Sequence, residues 1–392
     1  MTSCRIEVAG LLRWLFLAAS LFLAGCGESG VGSGGSGYPS GVQEGTVNGF
    51  GSVIVDSTVY DDEPAQVSID LDGEASGELT REDLRLGMQV SLAFEQDGVA
   101  QSIQINPQVV GEIESFGASE LTVSGQPVTV LARGARATVF AGFSQLSDLG
   151  IGERITVFGL FDEFGRLYAT RIERNPQGPA TLVKVSGVIK LIGVLRRSFR
   201  IGQQTFTVDN DTRGDTSPAS LRVGDQVAVW ANQVGANRFL VRRLDLTEKR
   251  APVGSVRRLI GYVRQAPVEG RAEIGRAVVD VSGASFVNGA LSDLVVGRLV
   301  VVSGLVQDRE LVAEQLRFLD LASDGEIRIT GQVARFVSNA SFEVRNTEID
   351  ASDPSVEYLD GDQAALADGV LVTVRGSIID GRLRASSIRF GR

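Results

Sequence analysis

Residues 121–130 read LTVSGQPVTV, and this stretch decides the fold class. Apolar residues occupy every second position on both sides of Gly125-Gln126, which is the pattern of two half-buried strands joined by a turn. A second pair follows, because Ile155–Gly159 and Leu167–Ile172 also alternate and are separated by Phe164-Gly165-Arg166. The region therefore predicts two β-hairpins.

Three short landmarks surround these hairpins and recur in the same order five times, about 70 residues apart. The first is a glycine followed two residues later by Val or Ile, at Gly45, Gly111, Gly187, Gly261 and Gly331. The second is a glycine that precedes an alternating strand, at Gly87, Gly152, Gly224, Gly297 and Gly369. The third is a closing strand that begins at Ala100, Ala169, Val241, Ala313 and Ala385.

The order of elements within a copy is three strands, a short helix and two strands. Thr80 with Asp83 resembles a capping box, and Ser217-Pro218 places a cap residue before a proline at the first helical position. This is the element order of an OB-fold, although another small barrel or sandwich also fits. We therefore predict an all-β chain of tandem small OB-like β-barrel domains, with repeats at residues 43–108, 109–180, 181–250, 251–322 and 323–392.

The glycine of the second landmark is predicted to adopt a positive φ, or to allow a close backbone approach, where the short helix ends and the next strand begins. A phosphate-binding loop is the alternative. It is disfavoured because neither a lysine nor a helix follows the glycine.

The amino terminus indicates export. Arg5 and Arg13 precede an apolar run at residues 14–23. This run is too short to span a membrane. Leu23-Ala24-Gly25-Cys26 resembles the bacterial lipobox, which implies removal of residues 1–25 and lipid attachment at Cys26. Gly27, in place of the aspartate that retains such proteins at the inner membrane, favours the outer membrane, and residues 26–42 suit a Gly/Ser-rich tether. An ordinary cleavable signal is the alternative.

The composition limits the kinds of catalytic and metal-binding site that the chain can form. The chain has no histidine, and its two cysteines are Cys4 and Cys26. If the first is removed and the second lipidated, catalysis by Ser-His-Asp or Cys-His, zinc sites with Cys or His ligands, and haem ligated by either residue are excluded. We expect no enzymatic activity and no cofactor. A net charge of −10 also argues against nucleic acid as a partner.

The first copy carries a family resemblance. Residues 45–55, reading GTVNGFGSVIV and continuing through Tyr60-Asp61-Asp62, resemble the bacterial domain of unknown function 5666 family. The likeness is closest in residues 43–106 and 109–175 and looser from residue 181 onward. It implies tandem small β-domains in exported proteins, often lipoproteins, and brings no known activity or catalytic residue.

Two candidate sites follow from charged residues. Guanidinium groups beside aromatic rings can bind anionic glycans or lipid headgroups, and a solvated arginine-rich surface is the alternative. Alternating carboxylates before a glycine are a weak calcium signal, and an exposed acidic loop is the alternative. The anionic-ligand patch comprises Arg196, Arg197, Arg200, Trp230, Arg242 and Arg243, and the calcium candidate comprises Asp70, Asp72 and Glu74.

Charge is unevenly distributed between the copies. Residues 43–108 hold thirteen acidic and two basic residues, whereas residues 181–250 hold six acidic and twelve basic ones. These copies are expected to face different partners or each other. The sequence as a whole predicts a membrane-anchored binding or scaffolding module of the bacterial envelope, with an envelope glycan or protein as partner. An envelope assembly factor and a carboxylate-based glycan-active enzyme are the alternatives.

Overall fold

A computed structural model of the chain describes residues 40–69, 71, 76–95, 97–134, 136–174, 182–247, 251–308, 310–320 and 326–391. They lie in one compact unit, Pro39–Arg392. This part of the chain consists of strands β1–β30 and six short 3₁₀ turns, which confirms the all-β prediction. Within the described ranges no helix is long and apolar enough to cross a bilayer.

The first two repeats contain thirteen strands. In repeat 1 they are β1 (Gly41–Gly49), β2 (Val53–Val55), β3 (Thr58–Tyr60), β4 (Gln66–Ile69), β5 (Ser76–Leu79), β6 (Gln89–Phe94) and β7 (Ala100–Ile105). In repeat 2 they are β8 (Val109–Phe116), β9 (Glu120–Val123), β10 (Gln126–Val130), β11 (Val139–Ala141), β12 (Arg154–Phe161) and β13 (Leu167–Arg174).

The other three repeats follow the same plan. Repeat 3 has β14 (Leu182–Ile192), β15 (Ser198–Ile201), β16 (Gln204–Thr207), β17 (Gln226–Gly235) and β18 (Arg238–Leu246). Repeat 4 has β19 (Val256–Val268), β20 (Arg271–Ile274), β21 (Ala277–Asp280), β22 (Ser285–Val287), β23 (Leu299–Gln307) and β24 (Glu310–Phe318). Repeat 5 has β25 (Ile327–Ser338), β26 (Ser341–Val344), β27 (Thr347–Asp350), β28 (Glu357–Leu359), β29 (Leu371–Ile379) and β30 (Arg382–Phe390).

Within a repeat the strand pairing returns to its starting strand. In repeat 4, β19 pairs with β20, β20 with β21, β21 with β24 in parallel, β24 with β23, and β23 with β19. The described strands of the other repeats pair in the same order, although in repeat 1 the third strand reaches the last one through a bridge between Asp61 and Val99. Closure of this kind leaves few unpaired strand edges.

The first two sequence landmarks are hydrogen-bonded to each other. In repeat 1 the Gly87 amide donates to the Val47 carbonyl (2.8 Å), and the Val47 amide donates to the Met88 carbonyl (2.9 Å). Equivalent bonds occur in every repeat. The second-landmark glycines all have φ between 83° and 99°, which confirms the predicted positive φ. These two landmarks recur together because in every repeat they form the hydrogen-bonded junction between the first and fourth strands.

The short helix predicted before the second landmark is a single 3₁₀ turn. The Thr80 amide donates to the Asp83 carboxylate (2.8 Å) at the start of the first turn, and Ser217 precedes the turn that begins with Pro218. These turns lie at Arg81–Asp83, Leu146–Asp148, Pro218–Ser220, Leu291–Asp293 and Gln363–Ala365. The sixth 3₁₀ turn, Val194–Arg196, lies elsewhere, between β14 and β15 of repeat 3.

The repeats do not form a simple string. Strand β1 pairs in parallel with β19 of repeat 4 and also contacts β25 of repeat 5, while β8 of repeat 2 pairs with β14 of repeat 3. One hydrophobic core contains residues of repeats 1 and 5 together with Ala137, Val139 and Phe158 of repeat 2. Pro39–Arg392 is a compact unit that contains several hydrophobic cores, so we expect it to fold by itself.

Two landmark glycines allow a matched test of packing between repeats. Gly87 and Gly152 share a φ of +83°. A Cβ atom added to Gly87 would lie 2.4 Å from the Thr170 carbonyl oxygen of repeat 2. A Cβ atom added to Gly152 would have no described atom of another residue within 4 Å, apart from its chain neighbours. We expect Gly152→Ala to lower the free energy of unfolding by about 1–2 kcal/mol through backbone strain. Gly87→Ala should lower it by about 2–5 kcal/mol, because overpacking adds to the strain. Equal losses in urea unfolding would contradict the close contact.

Candidate ligand-binding cavity

A cavity of about 250 Å³ lies where repeats 1, 2, 3 and 4 meet. Its walls come from β1 and β6 of repeat 1, β12 of repeat 2, β14, β17 and β18 of repeat 3, and β19 of repeat 4. This volume is near the lower end of the range for small-molecule sites, so the cavity holds a small ligand or one unit of a larger one.

One wall is a row of three side chains on neighbouring strands of repeat 3. Lys184 on β14 pairs with Trp230 on β17, and Trp230 pairs with Arg243 on β18. The Lys184 ammonium lies 4.6 Å and the Arg243 guanidinium carbon 5.0 Å from the centre of the Trp230 ring. Cations at these distances from an indole are held by its ring electrons.

Strand alternation points this row away from the core of repeat 3. The neighbouring residues Val183, Val185, Val229 and Leu244 are buried in that core. Successive side chains of a strand point to opposite faces, so Lys184, Trp230 and Arg243 lie on the outer face, against the cavity. The junction with the other repeats covers this face and leaves Trp230 only 3 % exposed.

Trp230 also provides an unsatisfied donor. Its indole nitrogen is buried and has no hydrogen-bond partner among the residues that the structure describes. A buried donor without an acceptor destabilises a protein by about 1–3 kcal/mol, so such groups are rare and call for an explanation. An oxygen of a bound ligand would satisfy this donor.

Another part of the lining is an ion-pair cluster between repeats 1 and 4. The Glu44 carboxylate lies 3.1 Å from the Arg257 guanidinium and 3.0 Å from that of Arg276. Glu44 is only 12 % exposed, and Arg257 only 7 %. Two guanidiniums around one carboxylate leave this wall with an excess positive charge.

The full lining is mixed in charge with an excess of cations. Arg243 is paired with Asp245 at 2.7 Å, and Asp162 is paired with Arg166 at 2.8 Å. The cationic lining residues are Lys184, Arg243, Arg257, Arg264 and Arg276, and the acidic ones are Glu44, Asp162, Asp215 and Asp245. The arrangement fits an anionic ligand that carries hydroxyl or other polar groups.

The structure separates the six residues of the predicted anionic-ligand patch. Trp230 and Arg243 line the cavity, whereas Arg242, the extra residue of a β-bulge in β18 opposite Trp230 and Ala231, is exposed outside it. The other three are exposed near the Val194–Arg196 turn, namely Arg196, Arg197 and Arg200. Phe199 is also absent from the cavity, because it stacks on Phe206 in the core of repeat 3.

Sequence reasoning did not single out Lys184, Glu44, Arg257 or Arg276. Lys184 carried a usable signal, because it stands between Val183 and Val185 in a mostly apolar strand. Glu44 and Arg257 carried none, since 213 residues separate them along the chain.

The calcium candidate and the lipid attachment site remain predictions. Asp70, Asp72, Glu74 and Cys26 lie outside the described residues. Within the part of the chain that the structure describes, no group of three or more His, Cys, Asp or Glu residues is arranged to hold a metal ion.

The uneven charge of the repeats corresponds to contacts between them. Acidic residues of repeat 1 pair with arginines of three other repeats: Asp56 with Arg136 of repeat 2, Glu44 with Arg257 of repeat 4, and Glu82 with Arg345 of repeat 5. Three of the thirteen acidic residues of repeat 1 therefore stabilise contacts with other repeats.

Comparison with known proteins gives a family and no function. The profile of a family described as "Domain of unknown function (DUF5666)" matches residues 110–173, 186–243 and 330–389. Residues 43–106, where the sequence resemblance was expected to be closest, are not among the matched segments. A search of the curated proteins finds no match.

Two solved structures are similar over small or scattered regions. CusF of Escherichia coli, in a Cu(II) form, is 18% identical and covers 18% of this chain and 99% of its own, with a TM-score of 0.16. The CSD456 segment of Drosophila Unr is 12% identical and covers 55% of this chain and 98% of its own, with a TM-score of 0.13.

Closed all-β repeats that share cores and enclose a cavity define this chain as an all-β repeat protein. With three segments matching one family, it is a DUF5666-like repeat protein.

Proposed function

We propose that this chain is a lipid-anchored, non-enzymatic binding module of the bacterial cell envelope, and that it binds an anionic ligand in the cavity between its repeats. The observation that carries the proposal is the row of Lys184, Trp230 and Arg243 on the cavity wall. Its buried indole donor has no acceptor in the described part of the chain.

Each repeat is proposed to be an OB-like barrel. The support is the pairing order of its strands, first to second, second to third, third to fifth in parallel, fifth to fourth, and fourth back to first, with a 3₁₀ turn before the fourth strand. In this interpretation the ligand lies between barrels, against their outer surfaces.

The envelope location is supported by the amino-terminal sequence. Leu23–Cys26 resembles a lipobox, and the Gly/Ser-rich composition of the residues that follow it would suit a tether between the folded unit and the outer membrane.

The ligand is proposed to carry a phosphate or carboxylate group. Arg243 and Arg257 offer planar guanidiniums that pair with either anion, Lys184 adds a point charge, and the Trp230 indole donates to an oxygen. An acidic glycan and a lipid headgroup share this chemistry, so the binding experiment must separate the two sources.

Calorimetric titration of residues 39–392 tests the cavity. The probes are digalacturonate as an acidic glycan, glycerol 1-phosphate as a headgroup, and glucose as a neutral control. Lys184→Met should weaken binding of the preferred anion about 10-fold or more, because it removes a charged hydrogen-bond donor. Trp230→Phe keeps an aromatic ring but loses the donor, and should weaken binding about 2- to 10-fold.

Arg242→Met is the matched control, because Arg242 is adjacent to Arg243 but is exposed and does not line the cavity. It should leave affinity within about 2-fold, since it removes no proposed contact. Wild-type protein that binds neither anion, or equal losses in Arg242→Met and Lys184→Met, would refute the proposed site.

A further inference from the structure

The turn at Val194–Arg196 forms an apolar tip on repeat 3. Val194 is 90% exposed and Leu195 is 83% exposed, more than any other large hydrophobic side chain in the described part of the chain. Single exposed apolar residues are common on protein surfaces, but two adjacent ones with almost full exposure are not explained by packing.

The backbone of the tip holds these side chains outward. Leu195 and Arg196 have φ values of +62° and +53°, a conformation that non-glycine residues adopt at a cost of about 1–2 kcal/mol each. The Arg196 guanidinium donates to the carbonyls of Ala219 (2.9 Å) and Leu221 (2.7 Å). The turn is thus fixed in a strained form that projects Val194 and Leu195 into solvent.

Basic residues outnumber acidic ones around the tip. Residues 187–209 contain Lys190, Arg196, Arg197 and Arg200, and one acidic residue, the exposed Asp209. Asp209 follows Val208, whose amide donates to the Arg197 carbonyl (2.9 Å). Arg197 and Arg200 are exposed. Arg222 and Val223, also exposed, directly follow Leu221, to which Arg196 binds. The acidic group nearest to them in sequence, Asp225, already accepts a hydrogen bond from the Arg222 amide (2.7 Å).

We propose that this tip is a membrane-contact element, in which Val194 and Leu195 insert into the interface of a bilayer whose anionic headgroups are bound by Arg197 and Arg200. Charge complementarity favours a lipid surface, because the exposed cations around the apolar pair match a surface of anionic headgroups. The tip is also small and projecting. A stable protein interface buries about 1,000 Å² or more, so this shape does not favour a protein partner. Such weak contacts suit a second membrane signal, since a single signal gives only marginal, reversible binding.

Co-sedimentation of residues 39–392 with vesicles tests the proposal without the lipid anchor or the cavity ligand. Wild-type protein should bind phosphatidylcholine vesicles that contain phosphatidylglycerol, and bind pure phosphatidylcholine more weakly. Each arginine near an anionic surface contributes about 1 kcal/mol, or roughly 5-fold. The double variant Arg197→Glu, Arg200→Glu should therefore lose at least about 25-fold.

The apolar contribution needs its own variants. The double variant Val194→Ser, Leu195→Ser should lose about 10-fold or more, because two apolar side chains no longer leave water. Ile151→Ser is the matched control, since Ile151 is 74% exposed but lies on repeat 2, and it should bind like wild type.

A fluorescence readout separates insertion from misfolding. Leu195→Trp should shift its emission to shorter wavelength on anionic vesicles and be quenched by brominated lipid, whereas Ile151→Trp should do neither. The proposal is wrong if wild-type protein does not bind the vesicles, or if the serine variants bind them as well as wild type does. A protein partner would then be the remaining occupant of the tip.

Discussion

Replacement of Arg136 by alanine is expected to destabilise the protein by about 3–5 kcal/mol, because it leaves a buried carboxylate without its cation. The Arg136 guanidinium lies 2.7 Å from Asp56, whose side chain is 2% exposed, and it also donates to the Thr46 hydroxyl at 2.8 Å. Arg317 of repeat 4 donates to the Asp56 carbonyl at 2.8 Å. Three repeats therefore meet at this ion pair.

The loss should depend on pH in a defined direction. Burial raises the pKa of Asp56 above its ordinary value of 3.8, and Arg136 opposes that rise. Without Arg136 the pKa rises further, so the folded variant binds a proton that the unfolded chain has already lost. The stability of Arg136→Ala should therefore fall, relative to wild type, as the pH rises from about 4 to 7.

Two further variants make this test specific. Asp56 has φ +46°, which asparagine tolerates well, so Asp56→Asn added to Arg136→Ala should recover part of the stability by removing the buried charge. Arg335→Ala breaks an exposed pair with Glu343, in which Arg335 is 75% exposed, and should change stability by less than about 1 kcal/mol. Equal losses for Arg136→Ala and Arg335→Ala in urea unfolding would show that the buried pair has no special role.

Replacement of Cys26 by serine is expected to abolish incorporation of radiolabelled palmitate and to release the protein from the membrane fraction. The proposed anchor needs the Cys26 thiol as the acceptor of a diacylglycerol, and a serine hydroxyl cannot form that thioether. Without the acyl chains, the large membrane affinity that they supply is lost.

The chain provides a matched control for this experiment. Cys4 is the other cysteine of the sequence and lies within the predicted signal, so Cys4→Ser should incorporate label like wild type. Label that enters Cys26→Ser as well as wild type would contradict the anchor. That result would not test the proposed cavity or the membrane-contact tip, because both lie within residues 39–392.

Local patterns predicted the all-β class and the recurring junctions. Alternation in residues 121–130 is visible in the sequence because a strand exposes one face and buries the other. The positive φ at Gly87 and its equivalents was also predictable, since few other residues adopt that conformation without strain. Both are properties of neighbouring residues, which a single sequence displays directly.

The contacts between repeats needed the tertiary structure. Strand alternation fails at Arg242 and Arg243, because a β-bulge lets both Val241 and Leu244 point into the core of repeat 3. Nothing local shows that Arg243 lines a cavity while Arg242 lies outside it. Glu44 meets Arg257 only because β1 pairs in parallel with β19, which begins more than two hundred residues later.

The sequence by itself thus determined the β-class, the repeats, the turn glycines and the predicted export signal. The tertiary structure decided which repeats are neighbours, which charges are buried together and where a cavity forms. The physical reason is that strand periodicity and backbone conformation depend on adjacent residues, whereas packing between repeats depends on surfaces distant in sequence, whose complementarity no short pattern records.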